Sequence, residues 1–375
     1  MTDPLALDIW KRRQSLQPGA SPRRLSMQIT NLCNSRCTMC SIWEIYRDDK
    51  ALYRQELTGA EWLRVADLAI DHGVRSIDVT GGEPFLKEGV TELLGHVLGR
   101  TGFVAVTTNA LQPRRILTEV ERILEGAPKD SLFVVSVSLD GFSDTYAEIR
   151  GVKNGFARAE KLLRGLVALR EKYPQLSQQI SFTIMDANVD ELEPLMEHAL
   201  GTGLIREPDD FNFRPVASGH YYAKENTVAH REKITAAVQR LCDKYAFRRT
   251  LPFIEKIPQS VREPDRLILP CYALFASMWI DPYGGVAPCV TMTEDVVGNI
   301  RDTDLDILPI WTGLQAQQAR ERIGKGNCAV CWTDCQAMES LEYEAAGAAS
   351  GLAPTTAAAG TGVGAGADAG TGAVG

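Results

Sequence analysis

Six short β-rich runs alternate with longer amphipathic runs between residues 25 and 215, and this alternation constrains the fold more than any other feature. The β-rich runs are LSMQIT, RSIDVT, FVAVTT, LFVVSVSL, QISFTIM and FNFRPV. Apolar residues at helical spacing fill 60–72, 90–98, 114–124, 156–173 and 189–200 between them. Strand, helix, strand repeated in this way builds a parallel sheet with right-handed crossovers. Six units fall short of the eight that close a barrel, so the sequence predicts an α/β fold, an open partial (β/α)6 TIM-like barrel. Chemistry in such a fold collects at the C-terminal ends of the strands.

The residues that follow each β run fit that expectation. The first leads into TNLCNSRCTMCSIW, with Cys33, Cys37 and Cys40 on one loop. The second leads into GGEPF, with Gly81, Gly82, Glu83 and Pro84, and the third into TNA, with Asn109. The fourth ends in SVSLDG, which contains Ser138.

Alternation stops beyond residue 215. A helical pattern over 228–245 carries Cys242, and Pro252, Pro258, Pro264 and Pro270 then punctuate a stretch read as a linker. Five of the nine cysteines lie beyond it, in CYALFASMWIDPYGGVAPC and CAVCWTDC. The expected organisation is an N-terminal extension (1–24), the barrel (25–250), a linker (251–270), a small cysteine-bearing C-terminal domain (271–344) and an Ala/Gly-rich tail (345–375). The tail lacks the large apolar residues needed for a core and is read as disordered.

Composition removes several function classes. With a net charge of −8 and a pI near 5.3, the chain offers no basic field for nucleic acid. No apolar run approaches the ~18 residues needed to span a bilayer. The N-terminus places its basic cluster after the apolar residues, the reverse of a secretory signal, so a cytoplasmic protein is expected. In that reducing compartment nine cysteines point to metal ligands or reactive thiols before disulfides.

Three closely spaced thiols without a fourth suit one kind of centre best. Structural zinc closes tetrahedrally with four Cys or His ligands, and no histidine lies near this loop. A cubane iron-sulfur cluster takes a thiolate at each iron, so three ligands leave the fourth iron open to an external molecule.

On these residues the chain resembles the radical S-adenosylmethionine (SAM) enzymes, through CNSRCTMC and the strand end GGEP. The resemblance implies that Cys33, Cys37 and Cys40 hold a 4Fe-4S cluster whose open iron chelates SAM. Reductive cleavage of SAM then yields a radical that removes a substrate hydrogen. It also implies that Gly81, Gly82, Glu83 and Pro84 meet the methionine amino group. The two glycines would let backbone carbonyls approach an ammonium with no Cβ in the way. Asn109 and Ser138 would hydrogen-bond the ribose or carboxylate, Arg150 would pair with the carboxylate, and Met39 would be a soft contact for adenine.

The C-terminal cysteines resemble the auxiliary-cluster domains called SPASM or twitch. Cys271 and Cys289 match the first half of that signature, and Cys328, Cys331 and Cys335 supply the second. Two clusters need seven cysteines in the SPASM pattern. Five imply a single auxiliary 4Fe-4S cluster, completed by two of the last three.

Cys242 has core-like spacing and is read as a buried thiol, with hydrogen donation as its alternative role. The loop RPVASGHYY, with Arg214, His220, Tyr221 and Tyr222, is the expected pocket lining, and His220 is its candidate base. About 25 residues precede the first strand, fewer than a fused peptide-recognition domain needs, which favours a small-molecule substrate such as a sugar, aminocyclitol or nucleoside. The expected activity is oxidation of an alcohol in natural product biosynthesis, with electrons supplied by a flavodoxin or ferredoxin. Epimerisation or decarboxylation, peptide maturation and a non-enzymatic iron-sulfur scaffold are the alternatives.

Overall fold

The computed structural model describes residues 18–350, apart from 220, 223–225, 227 and 329. Strands β1 (Arg24–Gln28), β2 (Ser76–Thr80), β3 (Phe103–Thr108), β4 (Leu132–Ser138), β5 (Leu176–Ile184) and β6 (Phe211–Pro215) pair in parallel in chain order. Helices α1 (Gly59–Asp71), α2 (Val90–Thr101), α3 (Pro113–Glu125), α4 (Ser143–Arg150), α5 (Gly155–Lys172) and α6 (Leu192–Gly201) fill the crossovers. Thr58 and Glu61 form a reciprocal capping box that starts α1.

Each barrel strand divides its residues between two faces. Leu25, Met27, Ile77, Val79, Val104, Val106, Phe133 and Val135 are buried in the core. The alternate positions include Ser26, Asp78, Ala105 and Ser136, which are only half-buried. A closed TIM barrel fills its interior with bulky branched side chains. Small and polar residues stand at these positions here.

The sheet does not end with the barrel. It has nine strands in the order β6-β5-β4-β3-β2-β1-β7-β8-β9. Strand β7 (Ser277–Ile280) lies parallel to β1, and β8 (Gly285–Ala287) and β9 (Gly298–Asn299) continue the sheet antiparallel. The C-terminal cysteine-bearing segment is thus grafted onto the barrel's first strand.

The stretch read as a linker is packed structure. After α7 (Arg231–Lys244) come α8 (Leu251–Ile254) and α9 (Ile257–Arg262), which bury Phe253, Ile254, Ile257 and Val261. Pro252 and Pro258 stand in the first turn of these helices, where a missing N–H costs nothing. Their spacing marks helix starts, not an extended connection. After α10 (Leu314–Gly324), helix α11 (Asp334–Ser350) runs past the expected start of the tail. Alanine-rich sequence favours continuing a helix already nucleated. Residues 351–375 and 1–17 lie outside the described residues.

Candidate active site

The cysteine loop is held at its base, over its middle and at its far end. At the base, the buried Glu56 carboxylate accepts from the Asn31 amide at 2.6 Å and the Thr30 hydroxyl at 2.9 Å, and pairs with Lys87 at 2.8 Å. Gly82 N–H donates to Thr30 O at 2.7 Å, and Glu83 N–H donates to Leu32 O at 2.8 Å. A Cβ on Gly82 would stand 2.4 Å from Leu32 O, and one on Gly81 would stand 2.6 Å from Thr30 O. The glycine pair is therefore required by close packing of the second strand end on the loop.

The middle of the loop lies on the C-terminus of α4. Arg36 and Thr38 donate their amides to Arg150 O and Ile149 O, at 3.1 and 2.8 Å. Gly151, at φ +66°, caps that helix where a Cβ would meet Arg36 O at 2.7 Å. At the far end, Cys40 forms an isolated antiparallel bridge with Tyr222, and Ser41 N–H donates to Tyr221 O at 3.1 Å.

Around the sulfurs, Ser35 Oγ and Arg150 Nη1 lie 3.2 and 3.7 Å from Cys37 Sγ, and Asn109 Nδ2 lies 3.8 Å from Cys33 Sγ. Burial pushes the Cys33 thiol up to about 12 and the Cys40 thiol up to about 11. Each also feels its neighbours' negative charge, so the set binds as thiolates only against a compensating cation. Neither this set nor the C-terminal one closes, among the described residues, on a point where a single metal ion would sit. Three thiols on one loop, mutually in electrostatic reach, fit a cubane cluster with one open iron.

The neighbouring strand ends have partners of their own. Glu83 is buried and accepts from Asn109 N–H, Thr108 Oγ1 and Phe85 N–H at 2.7, 2.8 and 3.2 Å. Burial raises its carboxyl to about 7 against those three donors. Arg150 pairs with buried Asp140, whose other oxygen accepts from Thr183 N–H at 2.6 Å. Met39 packs with Cys37, Ile149, Met185 and Val216, and Ser138 and Pro84 are buried at their strand ends.

The second thiol set is assembled from distant segments. Cys271 lies within electrostatic reach of Cys331, Cys289 and Cys328, and Cys289 within reach of Cys331. Burial raises the Cys289 and Cys335 thiols to about 12 and those of Cys271 and Cys331 upward as well. Thr291 Oγ1 lies 3.1 Å from Cys289 Sγ. Trp332 stacks on Phe253 with centroids 5.6 Å apart and donates to Phe253 O at 3.0 Å, which pins the CWTDC segment to α8. This donor set fits an auxiliary cluster.

Tyr222 connects the two sets. Its backbone pairs with Cys40, and its hydroxyl lies in electrostatic reach of Cys335, Arg214 and Cys40. Arg214 donates to Ser181 Oγ at 2.8 Å and pairs with Asp334 at 3.4 Å. Tyr221 packs on Trp279 of β7, with centroids 5.7 Å apart. A cavity of about 280 Å³ beside this wall is lined by Asn31, Ile45, Leu52, Gln55, Tyr221 and Tyr283. Cys242 lies on α7, packed against the core beside Asp243 and Glu255, and joins neither thiol set. His220 lies outside the described residues. Sequence reasoning missed Glu56 and Asp140. Asp140 was visible within SVSLDG, whereas nothing local marks Glu56.

Comparison with known proteins supports the class that this site defines. The Radical SAM superfamily profile matches residues 27–199, and the SPASM iron-sulfur cluster-binding domain profile matches 271–336. The chain carries a radical SAM domain and a SPASM domain, so its cofactors are a 4Fe-4S cluster with SAM and auxiliary iron-sulfur.

Among its relatives, the sporulation killing factor maturation protein SkfB of Bacillus subtilis is 28% identical over 182 residues, 48% of this chain and 40% of that protein. GTP 3',8-cyclase 2 of Pseudomonas aeruginosa is 30% identical over 222 residues, 58% of this chain and 61% of that protein. The chain thus spans only about two fifths to three fifths of these relatives' lengths. The crystal structure of Streptococcus suis SuiB bound to precursor peptide SuiA matches with a TM-score of 0.58 at 17% identity, covering 87% of this chain and 74% of SuiB, and supports the fold. Among the described residues no helix is long and apolar enough to cross a membrane.

Proposed function

We propose that this chain is a peptide maturase, a radical SAM enzyme that removes a hydrogen atom from a residue of a precursor peptide. The similarity to a maturation protein carries this reading, and the SuiB structure, which holds a precursor peptide, supports it. These relatives move the reading away from the small alcohol expected from sequence.

The bound cluster and SAM supply a 5'-deoxyadenosyl radical. Cys33, Cys37 and Cys40 hold the cluster, while Asn109, Ser138 and the GGEP strand end orient SAM. Asp140 fixes the Arg150 guanidinium, which stands beside Cys37. Cys271 and Cys289 hold the auxiliary cluster with partners from the CAVCWTDC segment. A flavodoxin- or ferredoxin-type protein supplies low-potential electrons.

A nucleotide substrate is the second reading, favoured by the 30% identity to a GTP cyclase. The test is anaerobic reconstitution with SAM and a low-potential reductant, followed by addition of either a synthetic precursor peptide encoded beside this chain or GTP. The peptide should stimulate 5'-deoxyadenosine formation and change in mass. Stimulation by GTP alone, or by neither, overturns the peptide reading.

A further inference from the structure

Each thiol set carries a hydroxyl residue two places after a cysteine: Ser35 after Cys33, Thr291 after Cys289 and Thr333 after Cys331. The structure gives these hydroxyls different work. Ser35 Oγ lies 3.2 Å from Cys37 Sγ, but its single proton is donated to Arg150 O at 2.9 Å. What donates to Cys37 is the Arg150 guanidinium, with Nη1 at 3.7 Å.

In the second set the hydroxyls meet sulfur. The turn closed by Met292 N–H on Cys289 O, at 3.1 Å, brings Thr291 Oγ1 to 3.1 Å from Cys289 Sγ. Thr333 Oγ1 stands 3.3 Å from Cys335 Sγ and 3.7 Å from Cys331 Sγ. Both threonines are buried, 9% and 6% exposed, so bulk water does not compete for these contacts and the low local dielectric strengthens them.

Iron fixes the direction of these hydrogen bonds. In a free Cys–Thr pair either atom can donate, whereas a ligand sulfur is a thiolate and only accepts. The proton is then the threonine's. Thr333 meets a ligand however the set closes, because Cys271 and Cys289 need two of Cys328, Cys331 and Cys335, and any such two include Cys331 or Cys335. Reduction adds an electron to the cluster and makes its sulfurs more negative. A hydrogen bond to such a sulfur stabilises the reduced state more than the oxidised one, which moves the reduction potential upward.

We propose that Thr291 and Thr333 raise the reduction potential of the auxiliary cluster by donating their hydroxyl protons to its ligand sulfurs. This rests on an auxiliary cluster at the second thiol set and adds what tunes it. One electron enters the cluster, no proton is transferred and the hydroxyls stay intact.

The test reads a potential and needs no substrate. The full chain carrying Cys33→Ala, which empties the first loop, is reconstituted anaerobically with iron and sulfide and titrated with titanium(III) citrate. The electron paramagnetic resonance signal of the reduced auxiliary cluster gives the midpoint. Thr291→Val and Thr333→Val keep the size of the side chain and remove the donor. Each should retain about four iron atoms. Each should also change the ratio of oxidised to reduced cluster at a fixed potential by about tenfold, a downward shift of about 59 mV for one electron. The double variant should fall further, and Thr291→Ser and Thr333→Ser should recover the parent midpoint. Thr312→Val, whose exposed hydroxyl donates to Leu308 O, is the control that should not move it.

A midpoint unchanged or raised in one valine variant, with iron retained, removes that threonine, and the same result in both overturns the proposal. Loss of iron from both valine variants also overturns it, because the threonines then hold the cluster in place instead of tuning it. A Cys33→Ala chain that takes up no iron at all overturns the auxiliary cluster at this set, a failure distinct from retained iron with an unmoved midpoint.

Discussion

The two thiol sets reach similar chemistry by different routes. Cys33, Cys37 and Cys40 share one loop, and the barrel supplies what that loop needs to stay in place: the glycine pair, the end of α4 and Glu56. Cys271, Cys289 and the thiols of CAVCWTDC come from distant segments, tied together by the β7–β8 hairpin, by Trp332 on α8 and by docking of α11 on the sheet. A local set is positioned by what touches the loop. A dispersed set is positioned by everything between its members, so its failures should be graded where those of the first are abrupt.

The sharpest break in this comparison is Cys33→Ala. It removes one of three ligands on the loop and should abolish SAM cleavage, while auxiliary iron stays bound and total iron falls by about half. Iron analysis beside a 5'-deoxyadenosine assay checks it, and unchanged cleavage would remove the role given to this loop.

Next is Gly82→Ala. Its Cβ would press on Leu32 O, a backbone atom that moves only if the loop moves. SAM cleavage should fall by about 10²-fold, in line with a misplacement of about 1 Å, and first-cluster iron should fall below that of the parent. Gly95→Ala, on an open helical face, is the control that should leave both intact.

The strap over the first loop is tested by Arg150→Met. Asp140 would remain buried without its cation, at a cost of about 3–5 kcal/mol. Denaturant unfolding should show that loss. Asp140→Asn combined with Arg150→Met should recover part of it, because the orphaned charge is gone.

The smallest effect concerns the strap of the second set. On α11, buried Glu339 accepts from Ser277 Oγ on β7 at 2.6 Å and lies near Arg24. Burial raises its carboxyl to about 7, against an ordinary value of about 4.3. The folded chain therefore holds a proton on this group that the unfolded chain has released between these values. The associated stability is fully present below about pH 4 and is lost as pH rises through about 7. The parent should lose up to about 3 kcal/mol across that window, while Glu339→Gln should show a flatter curve. Thermal unfolding between pH 5 and 8 measures the difference, and parallel curves for the two proteins would refute it.

Much of the fold was legible because strand and helix periodicities are local. The predicted runs coincide with β1 to β6 to within a few residues, and predicted 114–124 lies inside α3, Pro113–Glu125. The linker was misread because Pro252 and Pro258 mark a helix start as well as a break, and only burial of Phe253 and Ile257 separates the two meanings. The continuation of the sheet through β7 was hidden for a related reason. Ser277–Ile280 is short, and its partner β1 lies about 250 residues earlier in the chain.

What the sequence by itself determined is the first centre: its thiols, the strand ends beside it and the barrel beneath it. Spacing within one loop limits how far its members can separate, whatever the rest of the chain does. Only the tertiary structure decided that Glu83 and Arg150 are already engaged by protein partners and that Cys242 stays with the core. Those outcomes depend on contacts between residues far apart in sequence, where chain connectivity sets almost no limit on distance and packing makes the choice.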